Sequence, residues 1–333
     1  MSAATTPAPA RLQIRKVLFP TDFSSCAEQA FAQALSFAAA FGAELHVMHA
    51  LAPGWEGLYD AAAYAAPSGE AHEQARRAAE ARLASLANAP RAAALRLTTS
   101  VAEGYPPAPA ILDQAQRDRV DLIVMGTHGR RGPARLLLGS VAEEVARQAE
   151  CPVLAVRERS VDNGPGRLLP RRVLVPFDFS APARAALADA AEVARRLDSR
   201  LLLLHVVEER RAREDYGPLP RASDAAVEQA VTVARLRLAD LLSYLAPGVP
   251  GDVEVRTGTP ATEILAAAAR PDVDLIVMST RGLSGVRRLF FGSTAEEVLR
   301  LAAVSVLLVK PQAPKESPEV AAAAVGAGAG GKP

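Results

Sequence analysis

The stretch Met125–Val145, MGTHGRRGPARLLLGSVAEEV, decides how the chain is read. Gly126, Gly129, Gly139 and Ser140 stand in the spacing G-x2-G-x9-G-S. Before them, Val120, Leu122, Ile123, Val124 and Met125 predict a buried strand; after them, Val141, Val145 and Ala149 have helical spacing. A glycine-rich turn between a parallel strand and a helix start lets an anion approach backbone N–H groups closely, because no Cβ intervenes and the first helical amides lack carbonyl partners. Either Gly126 or Gly129 alone could simply turn the chain; their spacing to Gly139 is the specific signal.

Upstream, Val17, Leu18 and Phe19 form a short apolar strand that stops at Pro20-Thr21-Asp22, which puts Asp22 at a strand's carboxyl end. Ser25 and Glu28 have capping-box spacing, and a helix follows to Phe41, ended by Gly42. Leu45–Ala50 is a second strand. The Pro/Gly/Ala-rich segment 52–69, with Trp55, Tyr59 and Tyr64, reads as an irregular surface connection, and a helix follows over about 71–86. Leu95–Ala102 is a third strand, Ala108–Arg117 a third helix, and after the glycine stretch come a fourth helix and a fifth strand, Pro152–Val156. Five strands alternating with four helices predict a doubly wound parallel sheet with order 3-2-1-4-5 and helices on both faces.

The pattern then starts again. Asp178-Phe179-Ser180 repeats Asp22-Phe23-Ser24 at an offset of 156, with His205 standing where His49 stood. Met278–Val298, MSTRGLSGVRRLFFGSTAEEV, aligns on the opening stretch at an offset of 153 and without gaps: Gly282 on Gly129, Gly292 on Gly139, Ser293 on Ser140. Agreement in one order at near-constant offset is a tandem duplication. The expected organisation is a disordered lead over 1–13, a first domain over 14–157, a linker over 158–169, a second domain over 170–310 and a disordered Ala/Gly-rich tail over 311–333.

Composition narrows the classes. With 38 basic and 37 acidic residues among 333, the net charge of +1 argues against a nucleic-acid or anionic-membrane partner. No apolar run reaches the roughly 18 residues of a membrane span. Cys26 and Cys151 fit neither a disulfide framework nor a metal cluster and read as small buried residues of a reducing compartment, so the expectation is a cytoplasmic protein.

In an open parallel sheet, ligands sit beyond the carboxyl ends of the strands where strand order reverses. Asp22 and Gly126 close the first and fourth strands, so they face one cleft. A carboxylate on one lip accepts bonds from ribose or adenine, while the glycine turn donates to phosphates, and Arg130, Arg131 and Arg135 supply countercharge. The same residues carry simpler readings. Ser140 with Glu143, and Ser293 with Glu296, fit capping boxes; the arginines fit a solvated face; His49 and His205 fit strand histidines.

On these residues the chain resembles a tandem universal stress protein with two domains of the UspA type. Gly126, Gly129, Gly139 and Ser140 match the glycine motif of the family's ATP-binding members, accompanied by the Pro-Thr-Asp turn, a G-x-P element and the Cys-Pro-Val start of the last strand. The resemblance implies that Pro20 and Asp22 flank the adenosine, that the backbone of Ala50 meets adenine, and that Gly126, His128, Gly129, Gly139, Ser140 and Val141 surround ribose and phosphates. In the second copy Pro176, Asp178, Val206, Gly282, Gly292, Ser293 and Thr294 correspond, with Ser279 replacing the first glycine and Arg281 replacing His128. A serine there is expected to restrict positive φ and narrow the approach to phosphate. The resemblance also implies pairing of Val153–Val156 with Val306–Val309 as an intramolecular pseudo-dimer, with a further homodimer open.

The expected activity is a stress-response or signalling module that holds ATP, accompanied by Mg2+, without rapid turnover. The alternatives are a slow ATPase or nucleotide-transferring enzyme, and an interaction protein with vestigial clefts. The absence of a G-x4-G-K-[ST] motif argues against a Walker-type NTPase.

Overall fold

A computed structural model describes residues 12–51, 69–103, 106–128, 138–158, 169–208, 224–280 and 292–310. In the first half, β1 (Lys16–Pro20), α1 (Ser25–Phe41), β2 (Glu44–Leu51), α2 (Gly69–Ala87), β3 (Leu97–Glu103), α3 (Pro107–Arg117), β4 (Leu122–Gly126), α4 (Ser140–Gln148) and β5 (Val153–Val156) follow the predicted alternation. The second half repeats it with β6 (Arg172–Pro176), α5 (Ala181–Leu197), β7 (Arg200–Val207), α6 (Asp224–Leu245), β8 (Gly251–Thr257), α7 (Pro260–Ala268), β9 (Leu275–Ser279), α8 (Ser293–Leu301) and β10 (Ser305–Val309).

The central strands are near-continuous apolar runs because helices cover both faces. Val17, Leu18, Phe19, Leu122, Ile123 and Val124 are all fully buried. Within each half the strand order is 3-2-1-4-5 and every pairing is parallel, as expected. The two sheets are not separate, however. They join edge to edge into one ten-stranded sheet, ordered β3-β2-β1-β4-β5-β10-β9-β6-β7-β8. The joint is the antiparallel pairing of β5 with β10, the two strands the family resemblance brings together. Its register sets Leu154 opposite Leu307, with Val153 on Leu308 and Ala155 on Val306. Leu154 and Leu307 are equivalent at the offset of 153, so the pairing is two-fold symmetric about them, the geometry of an isologous interface.

Leu12 and Ile14 are both buried in the larger core cluster, because alternate residues leading into β1 point inward. The proposed linker, save Glu158 and Leu169, and the tail lie outside the described residues, as do Arg130, Arg131, Arg135 and the segment 52–68.

Candidate functional site

The first lip is the turn between β1 and α1, and four consecutive residues build it. The Thr21 amide donates to Met48 O at 2.8 Å, continuing the β1·β2 ladder one residue past Pro20. Thr21 Oγ1 accepts the Phe23 amide at 3.0 Å, and Asp22 Oδ1 accepts the Ser24 amide at 3.0 Å. Ser24 Oγ then accepts the Ala27 amide at 3.2 Å and caps α1. The expected cap, Ser25, is instead the first helical residue, because the Asx turn at Asp22 delivers the chain one position earlier. Asp22 is therefore held by the turn.

This turn forces Phe23 to φ +61°, and its copy forces Phe179 to +62°. A bulky side chain at positive φ is strained, and it persists only where the surroundings hold it. Here the holder is a histidine. His49 Nδ1 lies 2.7 Å from Thr21 O, and its ring packs against Phe23 with centroids 4.7 Å apart. His205 repeats both contacts, 2.7 Å to Phe177 O and 4.8 Å to the Phe179 ring. Burial pushes the His205 imidazole pKa down, so the neutral ring donates its Nδ1 proton to the carbonyl. These histidines are more than strand residues: they brace the strained turn that carries the aspartate. Their recurrence after Met48 and Leu204 in both copies was the available signal. Arg82 of α2 covers Phe23 at 4.3 Å from the ring centroid.

The second lip is the glycine turn. Gly126 ends β4 beside Val156 of β5. The Thr127 amide and Oγ1 both donate to Val156 O, at 3.0 and 3.1 Å. With its proton so used, Thr127 Oγ1 accepts from His128 Nδ1 at 2.9 Å, which assigns the tautomer of His128. The Gly139 amide donates to Thr127 O at 2.7 Å and closes the turn. Gly129 lies outside the described residues, but the residues bracketing it are thereby brought together. A Cβ on Gly139 would stand 3.1 Å from Thr127 O, a tight contact that favours glycine here by close approach.

Gly139, not Ser140, is the N-cap of α4, and it makes no side-chain cap. Intrahelical bonding starts with the Glu143 amide on Gly139 O at 2.9 Å. The amides of Ser140, Val141 and Ala142 precede it, with no helix carbonyl to receive them. The Ser140 capping-box reading is thus replaced by one in which hydroxyl and amides sit together at the helix start, a cradle suited to phosphate.

Gly126 differs from the expectation in its backbone angle. It is not among the positive-φ glycines; instead its missing Cβ is answered by Cys26 Sγ at 2.9 Å and the Cys26 carbonyl carbon at 3.3 Å. Gly126 lets the N-terminus of α1 lie on the end of β4, which brings the two lips together. In the second copy Ser279 stands at that place, 8% exposed, and Pro182 stands where Cys26 does. The substitution therefore concerns helix packing rather than φ.

The second cleft keeps the same plan. Asp178 Oδ1 accepts the Ser180 amide at 3.0 Å, the Gly292 amide donates to Thr280 O at 3.0 Å, and Gly292 is the N-cap of α8, so Ser293 and Thr294 open that helix. Pro176 ends β6, and Val206 lies in β7 as Ala50 lies in β2. A Cβ on Gly292 would meet Thr280 O only at 3.6 Å, so this turn is looser than the first. Arg281 and Gly282 lie outside the described residues.

A family model described as the universal stress protein family matches residues 13–157 and again residues 170–310. The chain belongs to the universal stress protein family. Among relatives, a universal stress protein of Methanocaldococcus jannaschii is 33% identical over 145 residues, 43% of this chain and 82% of that one. One from Thermus aquaticus is 37% identical over 144 residues, 42% of this chain and 98% of that one. The crystal structure of a universal stress protein from Archaeoglobus fulgidus superposes with a TM-score of 0.61 at 25% identity, covering 90% of this chain and 99% of that one. The two universal stress protein units are thus in tandem, and among the described residues no helix is long and apolar enough to cross a membrane.

Proposed function

We propose that this tandem universal stress protein binds ATP in the first cleft and, less tightly, in the second, and acts as a stress-response or signalling module that holds the nucleotide rather than turning it over rapidly. The observation that carries the reading is the closure of the glycine turn by Gly139 on Thr127 O, which sets the opening amides of α4, unused by the helix itself, beside the end of β4 on which the N-terminus of α1 also rests. Pro20 and Asp22 flank the adenosine, the backbone of Ala50 meets the base, and Gly126, His128, Gly129, Gly139, Ser140 and Val141 surround the ribose and phosphates. Pro176, Asp178, Val206, Ser279, Arg281, Gly282, Gly292, Ser293 and Thr294 do the same in the second cleft. Mg2+ enters with the phosphates it neutralises.

Equilibrium dialysis against labelled ATP tests this directly. Wild-type protein is expected to retain ATP, and Gly139→Asp, which sets a carboxylate against the turn and the phosphates, to lose the tighter site while Gly292→Asp loses the weaker. Absence of binding at millimolar ATP overturns the reading; loss of the tighter site through Gly292→Asp overturns the order.

A further inference from the structure

The helix behind each glycine turn ends against the last strand of the other half. Lys310, the first residue past β10, donates Nζ to Ala146 O of α4 at 2.6 Å. Arg157, the first residue past β5, donates Nη2 to Leu299 O and Arg300 O of α8, at 2.6 and 2.5 Å. Positions 157 and 310, and 146 and 299, are each separated by the same 153 residues, so one contact is made twice, crossed between the halves. The carbonyls concerned belong to the last helical turns, which have no amide of their own helix to receive, and a cation there complements the helix dipole.

Arg157 is only 5% exposed, and its guanidinium spends these charge-assisted bonds on helix carbonyls rather than on a carboxylate. Its own amide donates to Ser305 Oγ of β10 at 3.3 Å. The residue before it supplies Val156 O, which takes the Thr127 amide and hydroxyl of the first glycine turn. Likewise the residue before Lys310 supplies Val309 O, which takes the Thr280 amide at 3.3 Å. Each strand end therefore holds its own half's turn by a carbonyl and the opposite half's helix by a cation.

We propose that Arg157 and Lys310 are crossed positioning residues: each sets the helix that opens at the other half's glycine turn, so nucleotide affinity at either cleft depends on a residue of the opposite half. The affinity part rests on the ATP-binding reading above. Removing the cation loosens the far end of a helix only nine residues long, and its phosphate-facing amides lose their fixed direction.

The test is calorimetric titration of the full chain with ATP, together with amide hydrogen exchange of the nucleotide-free protein. In a Gly292→Asp background, which isolates the first cleft, Lys310→Met is expected to weaken ATP by about three- to ten-fold, and Arg157→Met to leave it within about two-fold. In a Gly139→Asp background the two effects exchange places. Lys310→Arg and Arg157→Lys restore binding, since either cation reaches a carbonyl. Without nucleotide, Lys310→Met speeds exchange in α4 but not α8, and Arg157→Met in α8 but not α4. Loss at both clefts from either substitution, or no loss at either, overturns the proposal. If the wild type binds no ATP, the functional reading falls by itself, and the exchange pattern still decides the positioning: crossed acceleration upholds it, uniform or absent acceleration removes it.

Discussion

Gly126 shows how a single missing methyl can bring two distant segments together. Its absent Cβ admits Cys26 Sγ, so α1 rests on the end of β4. Gly126→Ala is expected to cost about 1–3 kcal/mol by overpacking. Cys26→Ala removes the nearest obstacle, so in the double variant much of that loss should be recovered; denaturant titration of the four proteins gives the coupling energy. Additive losses would place the strain elsewhere. The glycine spacing was legible in the sequence, because the whole motif sits in one contiguous stretch. What each glycine meets was not, since Cys26 lies a hundred positions away and only the fold makes them neighbours.

At the scale of elements, the alternation of strands and helices was readable because buried parallel strands are apolar runs between punctuating Gly and Pro. Helix starts were misread by one position, at Ser24, Gly139 and Gly292, since the S-x-x-E pattern is local while the turns that deliver the chain are built against other strands, β2 for the first, β5 and β10 for the two glycine turns. The clearest titrating element is α5. Asp189 on that helix is 5% exposed, and burial pushes its pKa up to about 7 against one favourable bond from the Leu12 amide. The folded protein therefore binds this proton more tightly than the unfolded chain, so stability is greatest below pH 4 as far as this group is concerned. It declines as pH rises from 4 to 7, then levels. Asp189→Asn, which keeps an acceptor for Leu12, is expected to flatten that slope and to stabilise the protein at pH 8 by on the order of 2 kcal/mol, measured by urea unfolding across pH. An unchanged slope would show that another group sets it. The equivalent residue of the first half is Gln33, a neutral amide, which donates to Ser305 Oγ at 3.3 Å.

For the molecule as a whole, the decisive feature is the symmetric register about Leu154 and Leu307. Because both residues are fully buried at the joint, a chain cut to residues 12–158 exposes the β5 edge with nothing to cover it. Such a fragment is expected to pair with itself, Leu154 upon Leu154, and light scattering should find a dimer at micromolar concentration. A folded monomer would mean that β10 contributes contacts β5 cannot supply to itself. Tandem duplication was plain from the repeated stretches, yet the merger into a single sheet needed the family resemblance, for nothing in VLAV or SVLLV distinguishes an outer strand from a central one.

Two identical subunits meeting at such a joint would part on dilution and would share every mutation. Here the chain carries both partners, so the joint holds at any protein concentration. Each side of the two-fold has also been able to change alone: Gly126 against Ser279, Gln33 against Asp189, Arg157 against Lys310. Covalent union has freed the two sides of a symmetric joint to differ in sequence.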